Sequence, residues 1–150
     1  MPKFTNEDVM IVEGYAPIDI NGSGASGNYI SLKNAGHVTV IVNAGTVGAN
    51  YAITLTQASD VAGTGAKTLG FSNMYTNDGA SGASALVKTA VTSDTFNVDT
   101  ANSMYVIEIP ADTLDVDNDF DCLRVNAADP SSASVSSATY IMSHTSHLGD

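Results

Sequence analysis

The chain is short of basic residues: five Lys plus Arg stand against sixteen Asp plus Glu, a formal charge of -11 over 150 residues. That balance opposes a phosphate backbone and an anionic lipid surface, so neither nucleic acid nor a membrane is an expected partner. Cysteine is almost absent as well. Cys122 stands alone, which excludes an internal disulfide and a thiolate metal cluster and leaves three His as the nitrogen ligands. There is no Trp, the usual stacking platform for sugars, although six Tyr are available in its place. Long hydrophobic runs are missing too. The N-terminal stretch MPKFTNEDVMIVEG has an apolar core of only Val9 to Val12, too short for a secretory signal or for the roughly 20 residues of a spanning helix. Synthesis and folding in a cytoplasm are therefore expected.

What is present is a chain 43% hydrophobic and only 14% charged, rich in Gly, Ala, Ser, Thr and Asn, with Val and Ile prominent among the apolar residues. Such a composition suits strands joined by small-residue loops. The length allows one ordinary domain, which buries roughly two-thirds of its unfolded surface.

The dominant period is two. In HVTVIV, Val38, Val40 and Val42 fall on one face; in YAITLT, Tyr51, Ile53 and Leu55 do so, and in MYVIEI, Tyr105, Ile107 and Ile109. Pro110 closes the last run by removing a ladder donor. Weaker strand patterns cover residues 29–33, 67–75, 86–91, 95–98, 120–126 and 139–143, separated by turn-rich clusters such as NGSGASGN and NDGASGASA. No helical pattern reaches ten residues; short helical turns are expected at 57–61 and 111–114. The expectation is an all-β, antiparallel β-sandwich, jelly-roll-like, with an extended N-terminal segment. Its parts are an arm at 1–15, a single sandwich domain at 16–143 and a tail at 144–150.

The densest charge is LDVDNDFDC, with aspartate at 115, 117, 119 and 121 and Asp112 just upstream. Asp115, Asp117 and Asp119 match the opening of an EF-hand calcium loop. Phe120 occupies the glycine position of that loop, however, and Asn126 the position of its closing Glu. A cation site of another kind requires the three carboxylates to converge. Two positions apart on a strand, they repel by only about 0.6 kcal/mol in water, which solvent absorbs. The segment therefore reads as an exposed acidic turn leading into FDCLRVN, with Asp112 a candidate helix cap.

Other constellations carry less. His144 and His147 have the H-x-x-H spacing of half a metal site, but in a tail of Ser, Thr, His and Gly; His37 opens a strand as a hydrogen-bonded or half-exposed residue. Cys122 sits inside a strand pattern as a small buried thiol. No G-x-S-x-G elbow and no phosphate loop with its Lys occur, and nothing sets two acids across a substrate cleft. No catalytic residue and no cofactor is expected, so the chain is not read as an enzyme. Val9, Met10, Ile11 and Val12, an apolar core flanked by acids, are the piece expected to reach a neighbouring molecule as an added strand.

The segments ISLKNAGHVTVIVNAG (30–45), ITLTQASDVAGTGAKTLGF (53–71), LVKTAVTSDTFNV (86–98), MYVIEIPADTLDVDNDFDCLRVNAADP (104–130) and TYIMS (139–143) together cover most of the chain beyond residue 29. In this order they resemble a family of small β-rich structural proteins from tailed-bacteriophage virions. The resemblance implies a noncatalytic decoration or cement protein, made in the host cytoplasm and seated on the outer capsid surface of the virion. Its implied partners are the major capsid protein and further copies of itself, as a trimer or dimer; it assigns no capsid-contacting residues. Two other readings remain beside it: a head-to-tail or tail-associated virion component, and a calcium- or carbohydrate-binding β-sandwich module.

Overall fold

The structure, a computed structural model, describes residues 9–77 and 85–144, with only the backbone of His144. Among these residues there is no α-helix. The strands, in chain order, are β1 (Val9–Asp19), β2 (Ala25–Ser26), β3 (Ile30–Ser31), β4 (Ala35–Val47), β5 (Tyr51–Ala58), β6 (Lys67–Leu69), β7 (Asn73–Asn77), β8 (Val87–Ala90), β9 (Thr95–Val98), β10 (Ser103–Pro110), β11 (Cys122–Ala127) and β12 (Ser134–His144). Two short 3-10 turns, Ala111–Thr113 and Val116–Asn118, lie between β10 and β11.

Sheet I has the order β1-β12-β4-β10-β7-β8, every neighbour antiparallel. Sheet II centres on the β11·β5 pair. On one edge β2 and β3 both pair with β11, and on the other β6 and β9 both pair with β5, so each edge is a strand in two pieces. The inner faces of the two sheets form one apolar core. Val38, Val40 and Val42 of β4, Tyr51, Ile53 and Leu55 of β5, and Tyr105, Ile107 and Ile109 of β10 are all buried there. Period two thus predicted the inward face correctly, because a one-residue slip would have turned each set to solvent. Each fully buried Val, Ile or Leu contributes about 1.5–3 kcal/mol relative to exposure.

Three departures from the sequence reading have local causes. The pattern at 67–75 is two strands in different sheets, because the chain crosses the sandwich edge at Gly70, where an added Cβ would lie 2.8 Å from Asp94 Oδ1. Phe71, just past the crossing, meets Phe96 edge-on at 6.1 Å, and Phe96 stacks on Tyr105 at 5.2 Å, so an aromatic trio fills the corner. The pattern at 29–33 shortens to Ile30–Ser31, and β1 forms where an arm was expected, so the boundary drawn at residue 15 falls inside a strand. Of the tail, His144 completes β12, and the rest lies outside the described residues.

Candidate interaction surfaces

β1 is an edge strand: β12 flanks one side, and no described strand flanks the other. Val9 to Glu13 pair without interruption with Ser143 to Thr139. Met10 and Val12 therefore share the face of the buried Met142 and Tyr140, while Val9 and Ile11 point the other way. The ladder breaks at Gly14, where a Cβ would stand 3.1 Å from Ala138 and where the carbonyl accepts the Asn28 N–H at 2.9 Å. At the break β1 is tied to sheet II; before it, no described strand covers the edge.

That open stretch overhangs sheet II, whose edge strand β3 is only two residues long. A groove of about 300 Å³ results, lined by Met10, Val12, Ile30, Ala35 and Met142, with polar Ser31 and Asn34 at its side. Met10 is 44% exposed and Ile11 56%. The four residues expected from sequence to contact a neighbour, Val9, Met10, Ile11 and Val12, all lie here, paired on one side with their own β12.

The acidic turn splays its carboxylates. Asp115 is held by Lys67 and, through its other oxygen, by Asn118 Nδ2 at 2.8 Å; these contacts, that of Lys67 foremost, keep its carboxyl below the usual range. Lys67 also lies over the Phe120 ring, 4.1 Å from its centroid. The 3-10 turn carries exposed Asp117, and Asp119 ends it in the left-handed region at φ 64°. Asp112, Asp119 and Asp121 line a separate cleft of about 570 Å³ beside Lys33. Among the described residues no group of three or more His, Cys, Asp or Glu is arranged to hold a metal ion. Asp112 does not cap: it lies inside the first 3-10 turn, whose N-cap is Pro110.

The remaining sequence candidates are the histidines and Cys122. His37 Nε2 meets Glu108 Oε2 at 2.7 Å on the outer face of sheet I, and Thr39 Oγ1 donates to the same oxygen at 2.9 Å. The β12·β4 ladder sets Ser143 opposite His37 and the His144 backbone opposite Ala35, and His147 lies outside the described residues. Cys122 is 1% exposed; burial, reinforced by the adjacent Asp121 carboxylate, pushes its thiol up to about 12, which keeps it protonated and inert.

One feature escaped the sequence reading. Leu123 and Val125 of β11 face the core, so Arg124 between them faces out across sheet II. Its guanidinium lies 4.7 Å from the centre of the Tyr29 ring, and its Nε donates to Thr56 Oγ1 at 3.3 Å. The same Thr56 hydroxyl lies 3.3 Å from Tyr29 Oη and accepts from Asn126 Nδ2 at 3.3 Å. Behind the ring stands Gly63, where a Cβ would come within 2.7 Å of it. A lone cation at an outward position of an alternating strand was the signal available in the sequence.

No helix among the described residues is long and apolar enough to cross a membrane. No protein-family model matches the chain, and no curated protein is similar to it in sequence. In fold it is similar to the crystal structure of the SPBc2 prophage-derived protein YomS, with a TM-score of 0.50 over 94% of this chain and 97% of that one, at 11% identity.

Proposed function

We propose that this chain is a noncatalytic structural protein of a phage virion, a decoration or cement protein on the outer capsid surface. In this reading it contacts the major capsid protein and associates with further copies of itself. The observation that carries it is the open edge of β1 at Val9–Glu13 beside an apolar groove. An extended segment from a neighbour gains main-chain hydrogen bonds from that edge and buries alternate side chains against Met10 and Val12. The prophage origin of the similar YomS protein supports a phage setting. A high negative charge keeps free subunits soluble, while a symmetric shell multiplies individually small contacts.

The test is reconstitution. Particles stripped of this protein should rebind it in a fixed ratio to the major capsid protein and regain resistance to heat. Particles that neither weaken on stripping nor rebind it refute the proposal. A few copies at one vertex or along the tail would instead assign a head-to-tail or tail-associated role.

A further inference from the structure

We propose that Arg124 forms a recognition point for a single carboxylate, and that its occupant is an Asp or Glu side chain of a partner protein docked on the outer face of sheet II. Arg124 is the only arginine in the chain, which has sixteen acids. Among the described residues no acid pairs with it, although Lys67 and His37 both hold carboxylate partners. The side chain is nevertheless fixed, by the Tyr29 ring on one face and by Thr56 at Nε. Among the described residues, those contacts leave the two terminal NH₂ groups without a partner.

A guanidinium immobilised in this way has lost its rotamer freedom before any ligand arrives, and its planar fork matches the two oxygens of a carboxylate. Tyr29 Oη, anchored at Thr56 beside it, adds a hydroxyl at the rim. The surroundings decide the ligand class. A net charge of -11 repels polyanions such as nucleic acid, whereas one carboxylate brought in by a docked surface is met at short range by a positioned cation. Thr54, Thr56 and Thr68 make the face around it polar, and none of the described cavities is lined by Arg124, which suits a protein side chain better than a small molecule needing an enclosing cavity. The inference rests on the assembly role above only for the identity of the partner; the site itself stands on the Arg124, Tyr29 and Thr56 geometry.

Because the chain has one arginine, its side-chain NMR signals belong to Arg124 without assignment by mutation. The folded protein is titrated with acetate and, at matched ionic strength, with chloride. A charge-assisted contact of ordinary strength gives a saturating shift of the Arg124 Nε–Hε signal, half-complete at about 10–100 mM acetate. In Tyr29→Leu or Thr56→Val the half-saturation concentration should rise several-fold. A linear shift equal to that of chloride, or saturation unchanged in both variants, overturns the site. In particle rebinding, Arg124→Lys should weaken attachment about tenfold at low salt, an effect that shrinks as salt is raised. Acetate saturation without any rebinding by the parent protein would leave the site standing and refute the virion role instead. Rebinding by Arg124→Lys equal to that of the parent would refute Arg124 as the docking contact.

Discussion

At the scale of single residues, Tyr140 does what no apolar side chain could. It leaves β12 in sheet I, crosses the core fully buried, and its hydroxyl accepts the Val125 N–H at 2.9 Å while donating to the Asn28 carbonyl at 3.1 Å. The hydroxyl thus fills the break between β2 and β3, where the Val125 carbonyl accepts the Gly27 N–H but the Val125 N–H would otherwise lack an acceptor. Gly27 is required beside it, since a Cβ there would stand 2.6 Å from the Tyr140 oxygen and 2.9 Å from the Val125 carbonyl. Tyr140→Phe keeps the ring, orphans the buried Val125 N–H and removes the part-buried bond to Asn28, a loss of about 1–3 kcal/mol. For a domain of this size that is a fall in Tm of about 2–12 °C, readable by calorimetry. An unchanged Tm would mean that the sandwich does not depend on this cross-sheet tie. The same residue explains why two-residue strands were invisible in the sequence: a side chain 112 positions from Asn28 sets where that edge is interrupted.

At the scale of elements, legibility followed how completely one face is buried. β4, β5 and β10 pair on both sides, and their alternation was plain. β1 was not, because an edge strand with a bulge at Gly14 and Pro17 further on shows apolar residues on both faces. Outside the acidic turn, the role of single aspartates was not legible. Asp60 accepts the Ala62 and Thr64 N–H groups, Asp129 those of Gly22 and Ser131, and Asp19 those of Asn21 and Ser134, so several acids hold turns together. Their acceptor roles depend on the loop backbone around them, and Arg124 went unnoticed because Tyr29 and Thr56 reach it only in three dimensions. For β1 the alternation on the open edge separates partner binding from stability. Ile11 is 56% exposed and points away from the core, so Ile11→Lys should change stability by less than about 0.5 kcal/mol. A lysine there nevertheless blocks strand addition. The expected outcome is an unaltered Tm with rebinding to stripped particles largely lost; full rebinding would remove β1 as the contact edge.

At the scale of the whole molecule, the buried ionisable groups predict a lopsided pH profile. Burial, only partly offset by the bond to Ser136, pushes the Tyr15 hydroxyl up to about 12; burial raises Tyr140 further, and Cys122 reaches about 12. All three are raised, so the neutral forms are the ones that the fold favours. Their contribution is complete below the unfolded values, about 8.5 for thiol and 10 for phenol, and is lost as pH climbs through the folded ones. On the acid side the signs reverse. Asp60, bonded chiefly to Thr64, and Asp115, bonded chiefly to Lys67, are lowered, so their contribution holds above about pH 4 and fades below it. Those two carboxylates lie at the surface, where screening keeps the effect small. The Tyr15 shift of about two units corresponds to about 2–3 kcal/mol, so the alkaline limb should dominate. Melting curves across pH should therefore be flat from about 5 to 8, dip slightly toward 3, and fall by several degrees between 9 and 11. Cys122→Ala should flatten the first part of that fall, between about 8.5 and 10, and Tyr15→Phe the part above it. A steep acid limb with a level alkaline one would show that surface carboxylates, and not the buried thiol and phenols, set the pH range of the fold.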